Sequence, residues 1–169
     1  MLGSMSKAAL MWVPVNPQQV LLAQQTEDAA KGLEIELLSL PLNTADDIAL
    51  ALAKAGREQV QAMVVAADPL TVANAHAIID GCTVRGIPSM HTFVFETRSG
   101  ALMSYGVDLS ENYRSAAGYI DQILRGIKVV DLPFQEPTRL TLSINLGTAR
   151  SLRLAVPNSL LTRADEIIE

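Results

Sequence analysis

The sequence has 169 residues, of which 49% are apolar and only 4% aromatic, so Ala, Leu, Ile and Val must build the core of one well-buried domain. Its net charge of −5, with no basic stripe, argues against nucleic acid as a partner. The single cysteine, Cys82, excludes an internal disulfide framework and a cysteine-based zinc cluster, and no segment approaches the roughly 18–20 apolar residues that cross a bilayer.

The N-terminal segment 1–6 carries neither a basic region nor an apolar signal core. Gly3, Ser4 and Met5 look like a cloning remnant, so this segment is left out of the fold prediction. On this reasoning the chain has no export signal, which leaves a cytoplasmic location open.

The first half of the sequence alternates buried-strand segments with helices. The strand segments are 7–15, 35–40, 61–67 and 87–95, and the helices are 17–31, 48–55 and 69–84. Gly32 and Gly56 stop the first two helices, and TADD (44–47) fits a capping box at the start of the second. This alternation predicts an α/β domain with a doubly wound, flavodoxin-like parallel sheet of strand order about 2-1-3-4-5.

The second half of the sequence breaks this rhythm. A short extended segment (101–106) precedes a helix (110–126) with one apolar stripe, and a linker (128–138) with Pro133 and Pro137 follows. Residues 139–146 alternate between apolar and polar side chains, as in a strand with one face exposed to solvent. Residues 148–154 and 158–168 are predicted to be short helices. We expect three parts: a ligand-binding lobe (7–106), an arm of helix and linker (107–138), and a segment that completes the lobe (139–169).

Two Asx-Pro pairs close the first and third strand segments and provide the clearest site signal. Asn16 precedes Pro17, and Asp68 precedes Pro69. Both residues can cap the helices that follow. Ligands of open parallel sheets bind beyond the carboxyl ends of the strands, where the strand order reverses, and that point lies between strands one and three. We therefore predict that Asn16 and Asp68 flank a ligand crevice.

Three further residues are predicted to belong to this crevice because they lie near strand exits. Phe93 is expected to line it, with Ser104 and Tyr105 at its edge. Asp68 would receive a ligand ammonium or hydroxyl group, and the free amides of the two helix N-termini would favour a carboxylate. Phe93 and Tyr105 would offer an aromatic wall.

The sequence contains no recognisable reaction centre, cofactor motif or metal site. It lacks GxGxxG after the first strand, GxxxxGK[ST], GxSxG and HExxH. Cys82 is expected to be a buried, inert thiol, His76 a surface residue, and His91 a core residue. We predict no catalytic residue; a flavodoxin-like enzyme or regulatory domain acting on a small ligand is the alternative.

The motifs LMSYG, YRSAAGYIDQILRG, DLPFQEPT, INLGTARSLRL and PNSLLTRADEII occur in this order within residues 100–169, and WVPVNP and VVAADPL end two strands. With these motifs the chain resembles the periplasmic solute-binding proteins of ABC importers, in the uncharacterised or aromatic-amino-acid-binding branch. The resemblance covers residues 7–169 and corresponds to the C-terminal lobe only. It implies a small amino-acid-like ligand, an ABC permease as partner, a periplasmic location and no catalysis. A truncated lobe without function is the third alternative.

In that family the helix like 110–126 belongs to the other lobe, which this sequence does not contain. Its apolar stripe has no partner here, and large apolar side chains favour burial by about 1.5–3 kcal/mol each. We expect a homodimer in which residues 107–138 supply much of the contact, with strand 139–146 swapped between copies as one variant. A monomer with the helix folded onto its own sheet is the competing arrangement.

Overall fold

A computed structural model describes residues 5–134 and 139–169 of the chain. Its strands are β1 (Lys7–Trp12), β2 (Glu36–Pro41), β3 (Ala62–Val65), β4 (Ser89–His91), β5 (Met103–Val107), β6 (Leu140–Asn145) and β7 (Glu166–Ile168). Its helices are α1 (Pro17–Gly32), α2 (Asp47–Arg57), α3 (Pro69–Ala73), α4 (Ala75–Val84), α5 (Val94–Arg98), α6 (Leu109–Leu124), α7 (Leu146–Ser151) and α8 (Asn158–Leu161). The predicted remnant lies largely outside the described residues, as does Pro137.

The strands form one sheet in the order β2-β1-β3-β4-β5-β6-β7. Strands β1 to β5 are parallel, β6 runs antiparallel to β5, and β7 is parallel to β6. The α/β fold and the predicted order 2-1-3-4-5 are therefore confirmed, and two further strands extend the sheet.

The main core lies on one face of the sheet, beneath α2 and α4. Side chains alternate between the faces of a strand, so Ala9 and Met11 of β1 share this face with Met63 and Val65 of β3. The apolar side of α2 covers them with its buried residues Ile48, Ala51, Leu52 and Ala55. Ile78 and Cys82 of α4 complete the cluster.

The predicted strand 87–95 is wrong in its second half. The strand ends at His91, and α5 begins at Val94. The Glu96 carboxylate accepts the Phe93 N–H at 3.0 Å and caps a new helix, which the apolar pattern of this segment conceals.

The predicted helix 69–84 is interrupted at Asn74, which separates α3 from α4. The Asn74 side chain donates to the Leu70 carbonyl at 2.8 Å. Such local side-chain bonds compete with the helix ladder, so the helix divides at this residue.

The end of the chain departs twice from the prediction. The predicted helix 158–168 ends at Leu161, and its last part forms β7, because Ile167 pairs with Ile144 of β6. Strand β6 itself was expected to have one wet face, yet all but its first residue are buried. Strand β6 lies inside the sheet between β5 and β7, and α5 packs against it.

The helix α6 and the segment after it form an arm that leaves the sheet. All of α6 is described, and it buries none of its side chains. The Tyr119 hydroxyl donates to the Pro133 carbonyl at 2.5 Å, so the chain up to Pro133 returns alongside α6.

The core beneath α2 predicts a large difference between two leucines of this helix. Leu52 is 4% exposed and Leu50 is 71% exposed. Leu52→Ala should lower the free energy of unfolding by about 2–5 kcal/mol, because it removes buried methyl groups and leaves a cavity. Leu50→Ala is the matched control and should change stability by less than about 0.5 kcal/mol. Urea denaturation followed by circular dichroism measures both values, and equal effects would contradict the placement of the core.

Candidate functional site

The carboxyl ends of β1, β3, β4 and β5 lie at one edge of the sheet because these strands are parallel. Asn16 and Asp68 meet at this edge: the Asn16 Nδ2 donates to Asp68 Oδ2 at 3.0 Å. This hydrogen bond spans the gap between the β1 and β3 exits, which is the point where the strand order reverses. The two Asx-Pro pairs therefore come together as one polar pair.

Both residues are also helix caps. Asn16 Oδ1 accepts the Gln18 N–H at 3.0 Å, and Asp68 Oδ1 accepts the Leu70 N–H at 3.0 Å. The Asp68 N–H in turn donates to Thr71 Oγ1 at 3.0 Å, which completes a capping box. Because Pro17 has no N–H and the Gln18 N–H is already bonded, these helix starts do not offer the free amides that the sequence analysis expected for a ligand carboxylate.

A third residue of this edge, Gln19, was missed by the sequence analysis. It is buried in the first turn of α1, and its Nε2 donates to the Ala67 carbonyl at 2.7 Å. Its Oε1 is buried without a hydrogen-bond partner in the described part of the chain. The bond ties α1 to the end of β3, and its backbone partner has no signal in the sequence.

Phe93 follows β4 at the same edge. It lies two residues after the end of β4 at His91 and directly before α5, at the N-cap position of that helix. The rings of Phe93 and Phe95 stack with centroids 5.5 Å apart and planes inclined by 16°. Phe93 is partly buried and Phe95 is 42% exposed, so the pair presents an aromatic surface after β4, on the same edge of the sheet as the polar pair.

The two remaining predicted residues lie on β5 and point to different sides. Ser104 is fully buried, and its Oγ has no partner within the residues that the structure describes. Tyr105 is 48% exposed and, as the next residue of the strand, lies on the opposite face of the sheet. The structure thus unites Asn16 and Asp68, brings Phe93 to their edge, and leaves Ser104 inside the sheet.

A buried hydrogen-bonded chain lies behind Phe93. His91 Nδ1 is 2.9 Å from Glu96 Oε1, and His91 Nε2 is 3.2 Å from Ser89 Oγ. All three residues are buried. His91 is a core residue as predicted, whereas Glu96 follows the predicted strand 87–95 and has no signal of its own in the sequence.

The remaining chemically active side chains are not part of this edge. Cys82 is buried, as predicted, and this burial raises the pKa of its thiol to about 12. His76 is exposed on α4, as expected. In the described ranges, no three His, Cys, Asp or Glu side chains are grouped to hold a metal ion, and no helix is long and apolar enough to cross a membrane.

The sheet order is that of open α/β sheets, and the polar pair lies at the reversal point where such sheets bind their ligands. The family described as ABC transporter substrate binding protein matches residues 2–168. The chain therefore belongs to the ABC transporter substrate-binding protein family, as its motifs implied. The narrower aromatic-amino-acid-binding branch stays a prediction. No curated protein matches the sequence.

Solved structures with this fold include several larger solute-binding proteins. A conserved domain protein from Vibrio cholerae has a TM-score of 0.86 at 20% identity, covering 97% of this chain and 55% of that one. A Streptococcus pneumoniae ABC domain in complex with L-Trp has a TM-score of 0.86 at 17% identity, again over 97% and 55%. A periplasmic solute-binding protein from Actinobacillus succinogenes with bound D-allose has a TM-score of 0.51 at 16% identity, over 98% and 58%. The chain thus spans little more than half the length of these proteins.

The close approach of Gly106 to Thr92 provides a steric test of how the loop that carries Phe93 is positioned. A Cβ at Gly106 would lie 2.7 Å from Thr92 Cγ2 and closer still to the Thr92 carbonyl oxygen, which is backbone and cannot move aside. Gly106→Ala should therefore displace the loop that carries Phe93 and lower the free energy of unfolding by about 1–3 kcal/mol.

The matched control for this substitution is Gly118→Ala, because a Cβ at Gly118 on α6 meets nothing within 4 Å. Thermal denaturation measures both variants, and the control should be neutral or slightly stabilising because alanine favours helix. Equal melting temperatures for Gly106→Ala and the unaltered protein would contradict the close approach of Thr92.

Proposed function

We propose that this chain is the ligand-binding lobe of a substrate-binding component of an ABC importer, and that it binds a small amino-acid-like solute without catalysis. The observation that carries the proposal is the Asn16–Asp68 hydrogen bond at the reversal point of the sheet. It holds a part-buried carboxylate and a carboxamide at the place where open parallel sheets bind ligands.

The contacts of Asp68 suit it to a ligand ammonium group. One oxygen of its carboxylate accepts from Leu70 and the other from Asn16, which fixes the orientation of the group before a ligand arrives. Each oxygen retains a further lone pair, and a part-buried carboxylate attracts a cation more strongly than an exposed one. We infer that Asp68 receives the ammonium group of the solute.

Other groups at this edge of the sheet would contact the rest of the solute. The second N–H of Asn16 Nδ2 is a donor for a ligand carboxylate or carbonyl, since only one of its two N–H groups bonds to Asp68. Phe93 and Phe95 offer an aromatic surface for an apolar or aromatic side chain. Tyr105, which lies on the face of β5 opposite to Ser104, belongs to the proposed site as a contact at its margin.

Two of the related structures bind solutes of different chemical classes. The Streptococcus pneumoniae domain binds L-Trp, and the Actinobacillus succinogenes protein binds D-allose. A charged carboxylate beside an aromatic pair favours the amino acid, because a neutral sugar gains no ionic attraction from Asp68. An ABC permease as partner and a periplasmic location follow from the family and form part of the proposal.

The ligand hypothesis predicts that L-Trp stabilises the native chain through Asp68. A ligand that binds only the native state adds RT ln(1 + [L]/Kd) to its stability, about 2.7 kcal/mol at a hundredfold excess over Kd. Millimolar L-Trp should therefore raise the melting temperature, and D-allose at the same concentration should not. A single lobe encloses a ligand on one side only, so millimolar concentrations are needed.

The variant for this test is Asp68→Asn, because asparagine caps a helix as well as aspartate but carries no charge. Its Oδ1 can still accept the Leu70 N–H, but its Nδ2 then faces the Asn16 Nδ2, so the melting temperature of the free protein should fall slightly and the response to L-Trp should be lost. A response to D-allose alone would contradict the solute class, and reproducible turnover of a small substrate that Asp68→Ala abolishes would favour the enzyme alternative. No response to any solute would favour the truncated, non-functional lobe.

We further propose that the chain forms a homodimer through the arm of residues 107–138. The apolar side chains of α6 are open to solvent: Tyr113 is 73% exposed, Ile120 58% and Leu124 82%. Val130 after the helix is 86% exposed, so the apolar surface continues along the returning segment. Exposed apolar patches of this kind mark interfaces, and a second copy supplies the same surface about a two-fold axis. Strand β6 pairs within its own sheet, so the proposal needs no strand exchange.

Light scattering at micromolar concentration tests the dimer. The unaltered chain should give twice the monomer mass, and the double variant Ile120→Asp with Ile123→Asp should give the monomer mass. Leu50→Asp, which places a charge at an exposed leucine outside the arm, is the control and should remain dimeric. A monomer mass for the unaltered chain would rule the dimer out.

A further inference from the structure

The buried chain of Ser89, His91 and Glu96 connects the interior of the sheet to the loop that carries Phe93. Ser89 and His91 are the first and last residues of β4, and Glu96 lies in the first turn of α5. The side chain of His91 is fully buried and that of Glu96 is 4% exposed. Glu96 bonds inward to His91 through Oε1 and outward to the Phe93 N–H through Oε2, at 2.9 Å and 3.0 Å.

The donor and acceptor of each hydrogen bond in the Ser89–His91–Glu96 network can be assigned from the two ends of that network, the Phe93 N–H and the Ser89 hydroxyl. The Phe93 backbone can only donate, so Glu96 Oε2 accepts. With Glu96 as a carboxylate, Oε1 also accepts, and His91 Nδ1 must carry a proton. His91 Nε2 then bonds to the Ser89 hydroxyl, which can donate or accept. Every polar side-chain atom of this three-residue network therefore has a hydrogen-bond partner, as buried polar groups require.

We propose that Glu96 and His91 are positioning residues that fix the Phe93 loop in the orientation that the ligand site needs. This inference rests on the proposed function, because it assigns these residues a part in that site although neither touches its surface. Gly106 supports the arrangement from the other side, since it allows Thr92, the residue between His91 and Phe93, to approach β5 closely.

Removal of the carboxylate acts locally. Glu96→Ala leaves the Phe93 N–H and the His91 Nδ1 without an acceptor, so the loop loses its link to β4. The apolar core lies beneath α2 and α4, so Glu96→Ala removes none of its side chains. The loop should therefore loosen while the core stays folded.

Glutamine at position 96 separates positioning from simple packing. Its Oε1 can accept the Phe93 N–H while its Nε2 donates to His91 Nδ1. The imidazole must then lose its Nδ1 proton and carry its proton on Nε2, where the Ser89 hydroxyl can accept it. Glu96→Gln thus keeps the geometry but reverses the proton on the ring, which a residue that merely filled space would not do.

The first measurement is the ¹⁵N spectrum of the two imidazole rings. His91 should show a protonated Nδ1 in the unaltered protein and an unprotonated Nδ1 in Glu96→Gln. His76, which is exposed on α4, serves as the internal control and should have the same spectrum in both. An unprotonated Nδ1 of His91 in the unaltered protein would overturn the assigned chain.

The second measurement is hydrogen exchange at the Phe93 amide, which needs no ligand. Glu96→Ala should speed exchange there by at least tenfold, with the Met11 and Val65 amides unchanged, and Glu96→Gln should restore protection. Glu58→Ala is the matched control, because it removes an exposed glutamate that bonds to Lys7 at the start of β1. Equal Phe93 exchange in Glu96→Ala and the unaltered protein would overturn the positioning role.

The third measurement is calorimetric titration of L-Trp into the unaltered protein and the variants. Glu96→Ala should weaken L-Trp binding at least fivefold, and Glu96→Gln should bind within twofold of the unaltered protein. If the unaltered protein binds no L-Trp, the proposed function fails while the exchange and ¹⁵N results still decide the positioning role. If Glu96→Ala binds L-Trp as tightly as the unaltered protein, the positioning role fails while the proposed function stands.

Discussion

Parallel pairing of β1 with strands on both of its sides is the constraint on which the site depends. Met11 pairs with Leu40 of β2 on one side and with Val65 of β3 on the other, so both neighbours end at the same edge as β1. Right-handed crossovers then send the connecting helices to opposite faces of the sheet and leave an open gap at the β1 and β3 exits. Asn16 and Asp68 occupy that gap because each is the capping residue of the helix that follows its strand. A cap and a ligand contact are thus one geometric position, and a single side chain can serve as both.

The first three strand segments and the positions of the caps could be predicted from the sequence because local rules determine them. Prolines at Pro17 and Pro69 mark helix starts, and apolar runs such as 61–67 mark strands that are buried on both faces. The early end of β4 could not be predicted, because it depends on a hydrogen bond from Phe93 to Glu96 within a segment whose apolar residues suit a strand equally well. The strand β7 depends on pairing with β6, which is also a property of the folded chain.

The same division applies to the candidate site. Asn16 and Asp68 could be placed together because strand ends of a parallel sheet meet at one edge, whatever the side chains are. Ser104 and Tyr105 could not be told apart, because adjacent strand residues point to opposite faces and the sequence did not show which face is covered. Gln19 and Glu96 act through bonds to backbone atoms of Ala67 and Phe93, and such partners have no signature in a sequence.

Val107 and Leu140 are directly paired in the antiparallel β5–β6 ladder, so the arm leaves the sheet and re-enters it at the same point. The arm is therefore the loop of a long hairpin, joined to the lobe by a neck two strands wide. The entropic cost of closing a loop grows only with the logarithm of the loop length. The length of this arm therefore adds little to the free-energy cost of pairing β5 with β6. The orientation of the arm relative to the lobe is therefore set at this neck, by the twist of β5 and β6. A partner that binds the arm is held at an angle to the lobe that these two strands determine.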